Sequence, residues 1–220
     1  TSVTGVQTCA LPISDGTPKV MGNFAYASDL SSEDMLWGAT LRSPYAHARL
    51  TRLDLGPAIA MPGVRAVLAQ DDVPGTPTFG QEEQDQPVFC DGTARYWGEP
   101  VAVVAADDEE TARRAAEAIV VEWEPLAPVT DPEKAVEEGS SFREMTVRRG
   151  DEGATGTVVV EGIYETATQD QAPLGPEAGF AIPDGEGGLD LYVTSQWIHV
   201  DHRQIVACLD MAPDSVRCHP

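Results

Sequence analysis

The chain has 220 residues, 42% of them hydrophobic and 23% charged, which is enough apolar material for one or two folded domains. The formal net charge of −22 argues against non-specific nucleic-acid binding and against anionic membrane surfaces. No apolar stretch reaches the roughly 20 residues that span a bilayer. The four cysteines, Cys9, Cys90, Cys208 and Cys218, form no CxxC pair, which argues against a disulfide framework or a zinc or iron–sulfur site and predicts a reducing, cytoplasmic compartment.

The first fourteen residues do not match the composition of the rest of the chain. Residues 1–14 show neither a strand nor a helix period, and they contain none of the 36 acidic residues. They resemble the translated read-through of a sequencing adapter, so we exclude them from the fold prediction. The alternative interpretation is a natural, flexible N-terminus.

The next part of the chain predicts short strands separated by turns. Apolar and polar residues alternate in several short runs, which is typical of half-buried strands. Pro44 ends one of these runs, because proline cannot donate to the strand ladder. In chain order, we predict a strand or turn at 22–29, strands at 35–42, 48–55 and 64–69, a short helix at 57–61 and a long loop at 71–91.

Residues 98–129 carry the clearest local pattern. The apolar run 101–106 predicts a strand that is covered on both faces. Asp107 or Asp108 can cap the following helix, with Glu110 completing a capping box. A strand at 119–123 follows, so we predict a β-α-β unit and α/β packing. The predicted inner face of the helix consists of Ala112, Ala115, Ala116 and Ile119.

The C-terminal part predicts a second domain after a linker. Residues 139–157 are polar and glycine-rich, as in a linker. The last predicted strand has no evident partner, so we expect this domain to be incomplete. We predict strands at 158–164 and 189–196, a turn at 185–188, a helix at 201–209 and the beginning of a strand at 216–219.

An ordered set of motifs resembles the xanthine dehydrogenase and aldehyde oxidase family. LRSPYAHAR at 41–49, PGVRAV at 62–67 and GEPVA at 98–102 resemble the a/b hammerhead domain that opens the large subunit of molybdenum hydroxylases. VEGIYET at 160–166 and TSQW at 194–197 resemble the start of the adjoining molybdenum-cofactor-binding domain. The resemblance implies an α/β (α+β) fold with a hammerhead domain at 15–138, a linker at 139–157 and the truncated start of the cofactor domain at 158–220.

The resemblance implies a molybdenum-dependent oxidoreductase, most similar to the molybdopterin-binding subunits of bacterial xanthine dehydrogenases. Such enzymes hydroxylate purines such as hypoxanthine or xanthine at a molybdenum–molybdopterin cofactor. Electrons then pass to Fe–S clusters and FAD, which we expect on partner subunits. The catalytic glutamate and the glycine-rich cofactor loop of the family follow the matched segments, so the resemblance gives no residue here a catalytic or metal-binding role. We expect the fragment alone to be inactive.

One residue is a candidate for contact with the cofactor. The resemblance places a glutamine at the end of a strand, where its amide reaches a molybdenum oxo ligand, and Gln196 matches that position. An amide N–H directed at an oxo group is a reasonable supporting contact. The alternative is a strand-end glutamine that binds water or backbone.

Other polar residues are weaker candidates. Many family members have histidine at Gln171 and glutamate at Gly175, so these departures put in doubt any substrate role at the two positions. Glu177 is a possible replacement contact, although a surface role is the simpler interpretation. His199 and His202 lie three apart, but no further ligands accompany them, and His47 is expected to be structural.

Two other functions stay open. The hammerhead is shared by hydroxylases that oxidise aldehydes, carbon monoxide or isoquinoline, and most substrate-contacting residues of the family lie after the matched segments. A function of a different class is a non-catalytic α/β module that docks a partner subunit. The metal content of a protein extended to its natural terminus would separate these hypotheses.

Overall fold

The computed structural model describes residues 16–151, 153–154, 156–170, 172, 175 and 177–219, which form a mixed arrangement of helices and strands. The segment 1–14, interpreted above as an artefact, lies outside these residues. No helix in the described part combines the length and apolarity needed to cross a membrane. The strands are β1 (Trp37–Arg42), β2 (Ala48–Asp54), β3 (Val64–Leu68), β4 (Thr78–Phe79), β5 (Gln86–Pro87), β6 (Thr93–Ala94), β7 (Pro100–Ala106), β8 (Val120–Pro125), β9 (Gly179–Pro183), β10 (Leu189–Val193) and β11 (Val216–His219). The helices are α1 (Gly16–Val20), α2 (Gly56–Ile59), α3 (Glu109–Ala118), α4 (Pro132–Glu137) and α5 (Ile198–Leu209).

The first sheet is the core of the N-terminal part. Strand β7 lies in its centre, and β1 and β3 pair with it antiparallel on either side. The helix α3 packs on this sheet through alanines, as predicted, because small side chains let a helix approach closely. Ala112, Ala115 and Ala116 are 1%, 0% and 7% exposed, and Val104 of β7 is fully buried beneath them.

The predicted β-α-β unit is wrong in its pairing, although its three elements form in the predicted order. A parallel β-α-β unit needs both strands in one sheet. Both edges of β7 are already occupied, so β8 joins a second sheet of order β6-β2-β8 and pairs antiparallel with β2. Ion pairs of Arg49 with Glu124 and of Arg52 with Glu122 join β2 to β8 across this ladder.

The cap of α3 is Asp108, and the predicted capping box does not form. The Asp108 carboxylate accepts hydrogen bonds from the backbone N–H and the hydroxyl of Thr111, at 2.8 and 2.7 Å. These bonds hold the pKa of Asp108 below its usual value. With Asp108 as the N-cap, the third residue of the helix is Thr111. Glu110 is thus one position too early to complete a capping box. Asp107 instead makes a two-pronged ion pair with Arg65, at 2.6 and 2.9 Å.

The strand predicted at 158–164 is wrong. This segment forms no strand, and Val160, Ile163 and Tyr164 are 87%, 90% and 94% exposed. A strand needs a neighbour for its backbone groups, and no described strand pairs with this segment. The sequence analysis also missed α4, whose signal is Asp131 followed by Pro132. The Asp131 side chain accepts from two backbone N–H groups of the first turn, at 2.9 and 3.1 Å.

The third sheet has the order β9-β10-β11 and contains a parallel pair. Strand β10 pairs antiparallel with β9 and parallel with β11, and α5 connects the two parallel strands. The expectation that the segment 216–219 has no partner is therefore wrong. His202 on α5 ties the helix to the start of β11, because its Nε2 lies 3.1 and 3.0 Å from the carbonyl oxygens of Pro213 and Val216.

An ion-pair network joins the strands of the third sheet at their surface. The Arg217 guanidinium binds both carboxylate oxygens of Asp190 at 2.8 Å and reaches Asp184 at 3.2 Å. His219 Nε2 lies 3.0 Å from the same Asp190 carboxylate. Hydrogen bonds from Arg217, and then from His219, hold the pKa of Asp190 well below its usual range.

Arg217→Gln is therefore expected to lower stability near neutral pH and to have a smaller effect in acid. A carboxylate with a depressed pKa stabilises the fold fully above its unfolded pKa of about 4, and this contribution decreases as the pH falls from there through the lower folded pKa. Urea unfolding at pH 7 and pH 3 measures the difference. Arg203→Gln is the control, because Arg203 is exposed on α5. Equal losses at both pH values would contradict the assignment.

Candidate functional site

The turn between β10 and α5 places Gln196 at the carboxyl end of a parallel strand pair. In open α/β sheets, ligands bind at this end of the strands. Gln196 is exposed in the turn, and none of the hydrogen bonds within the described part of the chain involves its side chain. The predicted strand at 189–196 ends earlier, at Val193, so Gln196 lies in the turn itself.

Hydrogen bonds on both sides of Gln196 hold this turn. The Ser195 hydroxyl donates to the Asp201 carboxylate and accepts from the Trp197 N–H at 3.1 Å. The Trp197 carbonyl accepts from the N–H groups of Val200 and Asp201, at 2.8 and 3.1 Å. Trp197 has the N-cap position of α5, with φ −132° and ψ 62°. Hydrogen bonds therefore fix the residues on both sides of Gln196, although Gln196 itself is exposed.

The donors at this turn suit a ligand rich in oxygen acceptors. The helix α5 has 12 residues, and no side chain makes a capping hydrogen bond at its N-terminus. The first N–H groups of a helix point outward and attract negative oxygens. The amide of Gln196 adds a side-chain donor beside them. The described residues contain no cluster of three His, Cys, Asp or Glu side chains fit to hold a metal.

Two pockets flank the turn. Thr194 borders both of them. One is an apolar pocket of about 510 Å³ between α5, β10 and the β4–β5 hairpin, lined among others by Phe79, Val88, Leu191, Ile205 and Leu209. The other has about 260 Å³ and an aromatic lining that includes Phe24, Tyr26, Tyr192 and His219. The rings of Tyr192 and His219 stack at 4.6 Å.

The loop before β4 closes onto α5 through a glycine. The N–H groups of Gly75 and Thr76 donate to the carbonyls of Cys208 and Ala207, at 2.9 and 2.8 Å. A Cβ at Gly75 would lie 2.1 Å from the Ala207 carbonyl oxygen, so only glycine permits this approach. The contact joins the N-terminal part to the helix that begins at the candidate site.

The structure describes one of the two residues that depart from the family pattern. Gln171 lies outside the described residues. Gly175 is buried, and a Cβ built on it would lie 2.6 Å from Cδ1 of Tyr26, so a glutamate here would require the Tyr26 ring to move. Glu177 is exposed.

The histidines singled out in the sequence have different surroundings. His47 Nδ1 lies 2.9 Å from the Ala127 carbonyl oxygen, which fits the expected structural role. His202 is occupied by the carbonyls before β11, whereas His199 is exposed. Sequence reasoning missed Ser195 and Asp201, and the available signal was a serine just before a helix.

Comparison with known protein families gives two consecutive matches. Residues 21–127 match the model described as aldehyde oxidase and xanthine dehydrogenase, a/b hammerhead domain. Residues 136–220 match the model of the molybdopterin cofactor-binding domain. The matches confirm the predicted fold class, a hammerhead domain followed by the beginning of a cofactor-binding domain. The boundaries given above for the domains and the linker stay predictions.

Three relatives illustrate the similarity. A probable xanthine dehydrogenase subunit from Bacillus subtilis is 36% identical, over 92% of this chain and 29% of the relative. The nicotinate dehydrogenase large molybdopterin subunit from Eubacterium barkeri is 34% identical, over 92% of this chain and 50% of the relative. The solved structure of aldehyde oxidoreductase from Desulfovibrio gigas aligns with a TM-score of 0.78 at 25% identity, over 92% of this chain and 25% of that chain. The chain thus spans half or less of each of these relatives.

Proposed function

Since the chain belongs to the xanthine dehydrogenase and aldehyde oxidase family, we propose that it forms part of the molybdopterin-binding subunit of a molybdenum hydroxylase. The observation that carries the proposal is the order of the two matched domains, and the position of Gln196 after the carboxyl end of a parallel strand pair in the second domain supports it. When bound, molybdenum–molybdopterin supplies the redox chemistry of the hydroxylation. We place the Fe–S clusters and FAD on partner subunits, and the protein in the cytoplasm.

Purines such as hypoxanthine or xanthine are the proposed substrates. The similarity to a probable xanthine dehydrogenase subunit supports this choice. A nicotinate-type heterocycle is the second candidate, because the nicotinate dehydrogenase subunit is almost as similar, at 34% identity. Steady-state turnover of the assembled enzyme with hypoxanthine, xanthine, nicotinate and an aldehyde distinguishes these classes. Turnover of the aldehyde alone would exclude both heterocycle proposals.

Gln196 is the residue proposed to face the cofactor. Its side-chain amide has N–H donors suited to an oxo group, and its exposure leaves them available. The open N-terminus of α5 adds a favourable potential for negative oxygens at the same place. The chain's part in this site is therefore to orient the ligand and to donate hydrogen bonds.

Gln196→Ala is expected to lower kcat of the assembled enzyme roughly 10- to 100-fold, the usual loss when a residue that supports a metal site is removed. The substitution leaves the fold intact, since the side chain is exposed and makes no hydrogen bond in the described part of the chain. Steady-state kinetics measures the loss. The control is Gln84→Ala, at an exposed glutamine far along the chain. Equal activity of the two variants would refute the proposed contact.

The chain of 220 residues by itself is expected to bind no molybdenum cofactor and to have no turnover. Elemental analysis of the purified chain and of a version extended to the length of the matched relatives, both from a cofactor-competent host, checks this. Molybdenum in the 220-residue chain would contradict the expectation. Absence of the metal from the extended protein as well would favour the non-catalytic docking module.

A further inference from the structure

Ser195 and Asp201 form a side-chain latch across the turn that carries Gln196. The Ser195 hydroxyl donates to the Asp201 carboxylate, which lies one turn into α5. The same hydroxyl oxygen accepts the Trp197 N–H at 3.1 Å. The Ser195 hydroxyl thus connects the residue before Gln196 to Trp197, the residue after it, and it connects both of these residues to Asp201 of α5.

The latch holds the residues on either side of Gln196 and leaves the Gln196 side chain available. The Trp197 N–H donates to the Ser195 hydroxyl and the Trp197 carbonyl accepts from the N–H groups of Val200 and Asp201, so the residue that follows Gln196 is held at both of its backbone polar atoms. An exposed side chain without contacts takes its direction from the backbone that carries it. A fixed backbone here restricts where the amide of Gln196 points.

The position of Asp201 makes the latch more than a surface contact. Ser195 and Asp201 are both partly buried, and Asp201 lines the apolar pocket beside Leu191, Ile205 and Cys208. Burial raises the pKa of the nearby Cys218 thiol, and the Asp201 carboxylate raises it further. A carboxylate against apolar side chains is unfavourable unless it is hydrogen-bonded, and Ser195 supplies such a bond. The N-terminal end of α5 further favours its negative charge.

We propose that Ser195 and Asp201 are positioning residues, which fix the direction of the Gln196 amide toward the cofactor. The inference rests on the cofactor contact proposed above for Gln196. It concerns two residues that make no proposed contact with the cofactor themselves and act only through the turn. Ser195→Thr keeps the hydroxyl and Asp201→Asn keeps an acceptor oxygen. Both conservative variants are therefore expected to retain much of the positioning of the Gln196 amide.

Amide hydrogen exchange in the 220-residue chain tests the latch without any cofactor. Ser195→Ala and Asp201→Ala are each expected to speed hydrogen exchange at the Trp197 N–H roughly 10-fold or more. Ser195→Ala removes the hydroxyl that accepts this N–H, and Asp201→Ala removes the carboxylate that holds the hydroxyl in place. Ser195→Thr is expected to exchange like the wild type. The matched control is Ser215→Ala, which removes a 2.7 Å hydrogen bond to the Ala212 carbonyl near the other end of α5. Unchanged exchange in both alanine variants would overturn the latch.

The assembled enzyme tests the direction of the amide. Ser195→Ala is expected to lower kcat roughly 10-fold and to alter the Mo(V) electron paramagnetic resonance spectrum, and Ser195→Thr is expected to restore both. In a Gln196→Ala background, Ser195→Ala is expected to have no further effect, because the group that it positions is gone. Additive losses would overturn the positioning role. A wild-type spectrum and kcat in Gln196→Ala alone would remove the proposed cofactor contact and with it the positioning role, while the exchange result would still decide whether the latch exists.

Discussion

Replacing Glu99 by alanine is expected to lower the free energy of unfolding by about 2–3 kcal/mol. Glu99 is a charged residue with 0% exposure. Its carboxylate accepts the backbone N–H of Arg95 at 2.5 Å, and the Arg95 guanidinium lies 3.4 Å from its other oxygen. The substitution leaves the N–H without its acceptor and opens a cavity in a packed region.

The partner of Glu99 sets the size of the loss. Removing one member of a fully buried ion pair costs about 3–5 kcal/mol, because the other charge stays buried alone. The Arg95 side chain is 45% exposed and also binds Asp91 at 2.8 Å, so water and Asp91 compensate for part of the loss. The backbone N–H that loses its bond cannot be compensated as easily. We therefore expect a loss at or below the lower end of that range.

Urea unfolding of the Glu99→Ala variant measures this loss. Glu117→Ala is the matched control, because it removes the same charge from an exposed position on α3. Glu99→Gln keeps an oxygen for the Arg95 N–H and is expected to cost only about 1 kcal/mol. A Glu99→Ala variant as stable as the Glu117→Ala variant would show that the buried carboxylate contributes nothing net to the fold.

The local elements of the N-terminal part were predictable because their patterns are strong. The apolar run of β7 and the alanine spacing of α3 each correspond to one burial pattern, and both predictions are confirmed. The choice between Asp107 and Asp108 as cap was not predictable. It depends on Arg65, which lies 42 positions before Asp107 and forms an ion pair with the Asp107 carboxylate. The Asp108 carboxylate is left to cap the helix.

Pairing between distant segments was the part that the sequence did not determine. Strand β8 pairs with β2 because β1 and β3 already cover both edges of β7, a fact about three other segments. The segment 158–164 shows the reverse case, since its valines have high β-propensity but no described strand pairs with it. Strand propensity mostly reflects packing on neighbours, so it fails where a neighbour is missing.

The candidate site also has features that could be predicted from the sequence and features that could not. Only the family resemblance pointed to Gln196, because a single exposed glutamine has no pattern of its own. Its place at the edge of a parallel pair became visible with the pairing of β10 and β11. The bond between Ser195 and Asp201 spans six positions across a turn and a helix start. No helix or strand period brings residues at that spacing together, so a periodic pattern cannot predict it.

Ala115→Leu is expected to lower the free energy of unfolding by about 1–3 kcal/mol, although it adds apolar surface to the core. Ala115 has 0% exposure and belongs to the cluster in which α3 packs on the first sheet. Its neighbours Ala102 and Val104 on β7 are fully buried as well. A leucine here has no free volume to enter, so the helix must move away from the sheet or the side chain must adopt a strained rotamer.

Arg114→Leu separates overpacking from the effect of leucine itself. Arg114 is adjacent on α3 and exposed, so leucine there keeps good helix propensity and touches no core residue. Urea unfolding of both variants is expected to show a clear loss for Ala115→Leu and a change within about 0.5 kcal/mol for Arg114→Leu. If Ala115→Leu is as stable as Arg114→Leu, the interface between α3 and β7 has room that the close approach of the alanines does not indicate. The spacing of small residues on α3 would then reflect helix propensity and not packing.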